Sequence, residues 1–196
     1  MNDKKVFMVH GFRGEPNGGW RPWLMGQLAK ADVYACALPM PTPSDPIKEE
    51  WIKEIQHAIP NPNEDIFLVG HSLGVPAILN YLESLPEGAK IGGAVLVSGP
   101  IEKIDTENPD SKLRKIDHFF HDFDFNKIKN SCLQFSVIHG DNDPKVVFEN
   151  HAIPLSEKLS CELISIPNGG HLNGNSGWYE LPEAFTALMH FLTPNT

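Results

Sequence analysis

Apolar residues fall along this chain in short, nearly unbroken runs, separated by longer stretches in which they recur every three or four positions. The runs are 6–10 (VFMVH), 33–38 (VYACAL), 66–70 (IFLVG), 94–98 (AVLVS), 133–139 (LQFSVIH) and 162–166 (ELISI). Several lack polar alternation, the pattern of strands covered on both faces of a parallel sheet. Between them, Trp20, Trp23, Leu24, Gln27 and Leu28 follow helical spacing, with Pro22 early enough for a first turn. Ile47, Trp51, Ile52, Ile55 and Ile59 do the same after Ser44-Asp45-Pro46, which predicts a cap there. Residues 73–85 and 180–192 predict further helices, and 147–159 another that Pro154 is expected to kink or divide.

Strand followed by helix, repeated, predicts an α/β fold: a six-stranded, mostly parallel sheet with helices on both faces. Reactive groups in such sheets gather beyond the carboxyl ends of the strands. Residues 99–130 break the pattern, being rich in charge and poor in aliphatics. They are expected to form a partial lid or an irregular crossover.

Composition narrows the partners. The 196 residues suit one domain, 1–196, and the 41% hydrophobic and 21% charged content is that of a globular chain. A net charge of −9 without a basic block argues against nucleic acid, which demands clustered positive charge. Cys36, Cys132 and Cys161 lie far apart without metal or disulfide spacing, which fits a reducing cytosol. The apolar run before Gly11 is short for a signal peptide, and nothing approaches the ~18 apolar residues of a membrane span. No membrane partner and no cofactor are expected.

The third run opens into Gly70-His71-Ser72-Leu73-Gly74, a G-x-S-x-G between a predicted strand and a predicted helix. In that context the serine sits at the tip of a sharp turn, near the positive end of a helix, which makes Ser72 the candidate nucleophile. A serine hydroxyl needs a base, and the base an orienting acid, in the chain order Ser, Asp or Glu, His. The fifth run ends in His139-Gly140-Asp141-Asn142-Asp143-Pro144, and the sixth continues as Pro167-Asn168-Gly169-Gly170-His171. Chain order selects His171 as base. His71 is expected to point away from the serine, His57, His151 and His190 to be packing or surface residues, and His139 to line the site or pack in the core. Asp143, Asp141 and, more remotely, Glu149 are candidates for the acid, Asp141 being also suited to bonding its own turn.

Two backbone N–H groups are needed for a developing oxyanion. Leu73, after the nucleophile, and Phe12, in the loop after the first strand, are the candidates, with Gly11 allowing close approach. His118 and His121 stand among acids in the stretch 117–124, yet the aromatic residues between them predict a packed amphipathic segment, so no metal is expected. Trp20, Trp23 and Trp178 are expected in the core rather than in an acyl pocket.

Together, HGF, GHSLG, VLVSGP, DFDFNKIK, GDNDP and PNGGHLN resemble the compact α/β-hydrolases of the retinoblastoma-binding-protein-nine-like serine hydrolase family, bacterial members included, over residues 6–192. The resemblance implies strand order 2-1-3-4-5-6, no opening antiparallel hairpin, and a catalytic triad on Ser72, Asp143 and His171. It favours Asp143 over Asp141. The family's L-x-C-x-E motif is missing, since Leu159-Ser160-Cys161-Glu162-Leu163 carries Leu at the last position, and retinoblastoma binding is not carried over. The expected activity is hydrolysis of carboxylic esters, or of amides or thioesters, with a small-molecule acyl substrate. The alternative is a catalytically weak binding or adaptor protein on the same scaffold.

Overall fold

Six strands pair in parallel: β1 (Lys5–Val9), β2 (Tyr34–Ala37), β3 (Ile66–His71), β4 (Gly93–Val97), β5 (Phe135–Gly140) and β6 (Glu162–Ile166). Their order across the sheet is β2-β1-β3-β4-β5-β6, as the resemblance implied. The structure is a computed structural model that describes residues 3–104 and 111–193. Observed strand boundaries differ from the apolar runs by one or two residues, the usual uncertainty at element ends.

The central strands read as unbroken apolar runs because both faces are covered. Val6 and Met8 of β1, with Phe67 and Val69 of β3, face α1 (Arg21–Lys30) and α6 (Pro182–Leu192). Phe7 and Val9, with Leu68, face α2 (Lys48–Ala58), α3 (Gly74–Ser84) and α5 (Phe148–Leu159). The two-residue period of a strand thus divides one sequence run between two cores. After β1 the chain steps outward to β2 and then returns past β1 to β3. That reversal leaves a crevice beyond the carboxyl ends of β1 and β3, where ligands of open α/β sheets bind.

Two helical expectations change. Pro154 lies inside α5 without dividing it. The carbonyl that loses its donor belongs to Asn150, an exposed residue, so solvent is available to satisfy it. The cap predicted at Ser44-Asp45 does not form: α2 starts after Ile47 with no side-chain cap of its own. His118 supplies the acceptor instead, its Nε2 taking the Lys48 N–H at 3.2 Å, while Asp45 pairs with Lys115 at 2.7 Å.

Of the segment 99–130, residues 105–110 lie outside the described residues. The remainder contains a 3-10 helix (Lys112–Phe119) and α4 (Phe125–Asn130). Ile116, Phe119, Phe123 and Ile128 are buried in the core. Phe119 meets Trp51 edge-on at 5.6 Å, and its carbonyl accepts from Asn80 Nδ2 at 2.9 Å.

Candidate active site

Only Ser72 and Leu73 separate the end of β3 from the start of α3. Ser72 adopts φ +54°, a left-handed conformation that costs a non-glycine residue about 1–2 kcal/mol. Hydrogen bonds on both sides hold it: its N–H donates to Val97 O at 2.9 Å, and its carbonyl accepts from the Val75 N–H at 2.9 Å. The turn closes because of Gly74, where a Cβ would lie 2.2 Å from the Val9 carbonyl oxygen. Gly11 meets the elbow from the other side, a Cβ there falling 2.8 Å from Ser72 Cβ and 3.3 Å from Ser72 Oγ. Phe12 and Leu73, the expected N–H donors, therefore follow Gly11 and Ser72, two residues that lie against each other.

His171 reaches this turn from the loop after β6. Its Nε2 lies 3.0 Å from Ser72 Oγ, and its Nδ1 lies 2.7 Å from Asp143 Oδ2. A carboxylate accepts only, so Nδ1 carries the proton and Nε2 presents its lone pair to the serine hydroxyl. The structure thus brings Ser72, His171 and Asp143 into one hydrogen-bonded line. Ser72 is partly accessible, whereas Asp143 and His171 are buried.

Burial alone pushes the Asp143 carboxyl up. The adjacent His139 ring, the hydrogen bond from His171 with its charge, and the Lys145 N–H outweigh that effect and hold it well below the usual carboxylate range. Its Oδ1 accepts from the N–H groups of Lys145 at 2.8 Å and Val146 at 3.1 Å. Asp141 is elsewhere: rather than bonding its own turn, its Oδ1 accepts the Asn168 N–H at 2.8 Å. Glu149 lies exposed in the first turn of α5.

The loop that carries His171 is gripped by side chains that no motif had singled out for the task. Asn142 Oδ1 accepts the Gly170 N–H at 2.7 Å, and Trp178 Nε1 donates to Gly169 O at 2.7 Å. His71 Nε2 donates to the His171 carbonyl at 3.0 Å, and Trp20 Nε1 donates to the next carbonyl, Leu172, at 2.9 Å. Trp20 and His71 meet edge-on at 6.0 Å, so the two donors brace each other. Burial, followed by the nearby charge of His171, lowers the His71 pKa well below the ordinary histidine value and keeps the ring neutral. The expected core role of Trp20 and Trp178 therefore acquires a polar purpose.

His139 is fully buried; its Nε2 donates to Val146 O at 2.8 Å and lies 3.4 Å from Asp143 Oδ2, so it packs behind the carboxylate. His57 and His190 are exposed, and His151 is buried in α5. His121 pairs with Glu83 at 2.6 Å, away from His118 and its Lys48 partner. Among the described residues, no group of three or more His, Cys, Asp or Glu side chains is arranged to hold a metal ion. No helix among them is long and apolar enough to cross a membrane.

An open cleft of about 1210 Å³ lies over Ser72 and His171, with the Gly11–Gly14 loop, the start of α1 and Lys112–Leu113 along its walls. Comparison with protein families matches residues 6–190 to the family described as serine hydrolase. The chain is 33% identical to YdeN of Bacillus subtilis (strain 168), over 98% of both chains. The crystal structure of that gene product superposes with a TM-score of 0.90, covering 97% of this chain and 100% of the other. Est1E from Butyrivibrio proteoclasticus, solved with ferulic acid bound, shares the fold at 15% identity and a TM-score of 0.72, over 96% of this chain and 88% of that one.

Proposed function

This chain belongs to the serine hydrolase family, and from that premise we propose that it cleaves carboxylic esters through an acyl-enzyme formed on Ser72. The observation that carries the reading is the single imidazole, His171, lying within hydrogen-bond distance of both the Ser72 hydroxyl and the Asp143 carboxylate. A serine at ordinary pKa is a weak nucleophile, and a correctly oriented neutral imidazole remedies that.

In the proposed reaction, Ser72 Oγ forms a bond to the substrate carbonyl carbon as its proton passes to His171 Nε2. The carbonyl π electrons move to oxygen, and the backbone N–H groups of Phe12 and Leu73 stabilise the oxyanion. Losing one such donor typically costs ~3 kcal/mol of transition-state stabilisation. As the carbonyl re-forms, the bond to the leaving alcohol breaks and the alcohol takes the proton from His171. Water then attacks the acyl-enzyme, giving its proton to His171 and its oxygen to the acid product. The proton returns to Ser72. Asp143 holds the imidazole in the required tautomer and stabilises the imidazolium without itself becoming protonated.

Ser72→Ala is expected to abolish fluorophosphonate labelling and to lower ester turnover by a factor on the order of 10⁴–10⁶, with the circular dichroism spectrum unchanged. Equal labelling of the two proteins would refute the assignment.

A further inference from the structure

We propose that the substrate carries an anionic group, a carboxylate or a phosphate, that binds a set of cations lining the cleft over Ser72. The inference rests on the hydrolase reading of that site and extends it to a substrate class. It starts from a reversal of charge. The chain holds 16 basic and 25 acidic residues, yet among the described residues the charged side chains lining the cleft are Arg13, Arg21, Lys112 and Lys145 against Glu15.

None of these four cations has a carboxylate within ion-pair distance among the described residues. Lys115, three residues beyond Lys112 and outside the cleft, is by contrast paired with Asp45 at 2.7 Å. Many surface lysines among the described residues also lack a carboxylate partner. What sets the cleft apart is that four cations, one of them buried, gather around a single opening, which points to a partner that arrives with the substrate.

Arg21 is the anchor. It is only 6% exposed, at the start of α1, and its Nε and Nη2 donate to the carbonyls of Pro16 at 3.2 Å and Glu15 at 2.8 Å. Both acceptors are neutral, and burial pulls the guanidinium pKa down to about 10 against the opposing pull of the Glu15 charge nearby. A cation removed from water without a direct ion pair is costly even with Glu15 nearby, and an arriving anion relieves that cost. The two carbonyl bonds also fix the plane of the guanidinium, which suits the fork geometry that carboxylate and phosphate oxygens prefer. Arg13, Lys112 and Lys145 are exposed, so their contribution is a field that draws anions toward the opening and weakens with salt.

The test uses matched ester pairs that differ in one charge, followed by proton release at constant pH. Monomethyl against dimethyl adipate places a carboxylate on the acyl side. 3-Acetoxybenzoate against its methyl ester places it on the leaving group, and 3-acetoxyphenyl phosphate against phenyl acetate replaces it with phosphate. At least one anionic member is expected to exceed its neutral partner tenfold in kcat/KM, with the preference shrinking as salt rises. Arg21→Met, which replaces the arginine stem with an unbranched apolar one and removes the guanidinium, is expected to cut that ratio at least fivefold. So is the surface variant Arg13→Gln/Lys145→Gln, whose folding is not at issue. Because the readout is a ratio within each protein, a poorly folded variant lowers both rates and leaves it unchanged. Ratios near one in every wild-type pair, or a ratio indifferent to both variants, would overturn the proposal. If Ser72 is labelled by fluorophosphonate in that same wild type, the hydrolase reading survives the loss. If it is not labelled, both fall.

Discussion

Two segments leave the sheet near the cleft, and they are held in opposite ways. The loop bearing His171 is fixed by polar grips on its main chain, from Asp141, Asn142, His71, Trp20 and Trp178. The crossover at 111–130 is fixed chiefly by apolar anchors, Ile116, Phe119 and Ile128, with fewer polar contacts to its main chain, from Asn80 to the Phe119 carbonyl and from the Asp124 N–H to Glu83, while Lys115 and His121 pair with acids at the surface. Hydrogen bonds to backbone specify direction to within tenths of an ångström, whereas apolar contacts are non-directional and specify little more than burial. The first arrangement suits a base that must meet a hydroxyl. The second suits a wall that needs only to be present.

The deepest cut into the polar arrangement is Asp143→Asn. The new side chain still accepts from Lys145 and Val146, but it turns an N–H toward His171 Nδ1. The imidazole then carries its proton on Nε2, facing Ser72, where it cannot act as base. Turnover is expected to fall by about 10⁴, with little change in KM, measured on a short-chain ester. A loss below tenfold would mean that the imidazole does not depend on this carboxylate for its tautomer.

His71→Leu probes the same arrangement one step further out. It leaves the buried His171 carbonyl without a donor, a penalty of about 1–3 kcal/mol, and frees the ring to drift from Ser72. A loss of roughly 10- to 100-fold in turnover and in labelling rate is expected, because small misplacements of a catalytic group are expensive. His71→Gln, which can still offer an N–H to that carbonyl, is expected to recover most of the loss. Failure of Gln to improve on Leu would show that the ring's packing on Trp20, not its hydrogen bond, is what matters.

Much of this was legible in the sequence, for identifiable reasons. The apolar runs marked the central strands because burial on both faces leaves no alternation to confuse the reading, and the edge strands β2 and β6, only partly buried, showed as short apolar stretches. A strand-to-helix turn with glycines and the order of residues after later strands single out Ser72 and His171, which the structure places 3.0 Å apart. Strand order came from resemblance, since nothing in a single run says which neighbour it pairs with. What stayed hidden were partnerships between residues far apart in sequence: His71 with a carbonyl 100 positions away, Trp20 with one 152 away, and His118 capping α2. A side chain's identity declares that it can donate, not to whom. Pro154 was misjudged because its cost depends on whether the abandoned carbonyl faces solvent, which periodicity does not reveal.

The buried histidines also leave a mark on stability. Burial lowers the pKa values of His10, His71 and His151, so below about pH 6.5 the unfolded chain takes up protons that the folded one refuses. Stability is therefore fully present above that value and lost as the pH falls. Asp143, whose pKa is also depressed, adds to the loss only below about pH 3.9. Each full proton of difference corresponds to a slope of about 1.4 kcal/mol per pH unit. Urea midpoints are expected to drop between pH 7 and pH 5, and His71→Gln to flatten part of that slope. Midpoints that do not move across this range would remove the buried-histidine account.

The smallest effect is expected where the crossover meets the surface. Lys115 and Asp45 are 2.7 Å apart, but their side chains are 46% and 73% exposed, so water and salt already satisfy both charges when the pair opens. Lys115→Ala is expected to change the unfolding free energy by about 0.5 kcal/mol or less and to leave turnover of a neutral ester as it was, since Lys115 does not line the cleft. The apolar anchors on either side, Ile116 and Phe119, keep the segment in place without the ion pair. A destabilisation above about 1.5 kcal/mol, read from urea unfolding, would exceed what exposed pairs contribute. It would place the crossover in the same class as the His171 loop, as a segment positioned by specific polar contacts, and the contrast between the two would no longer stand.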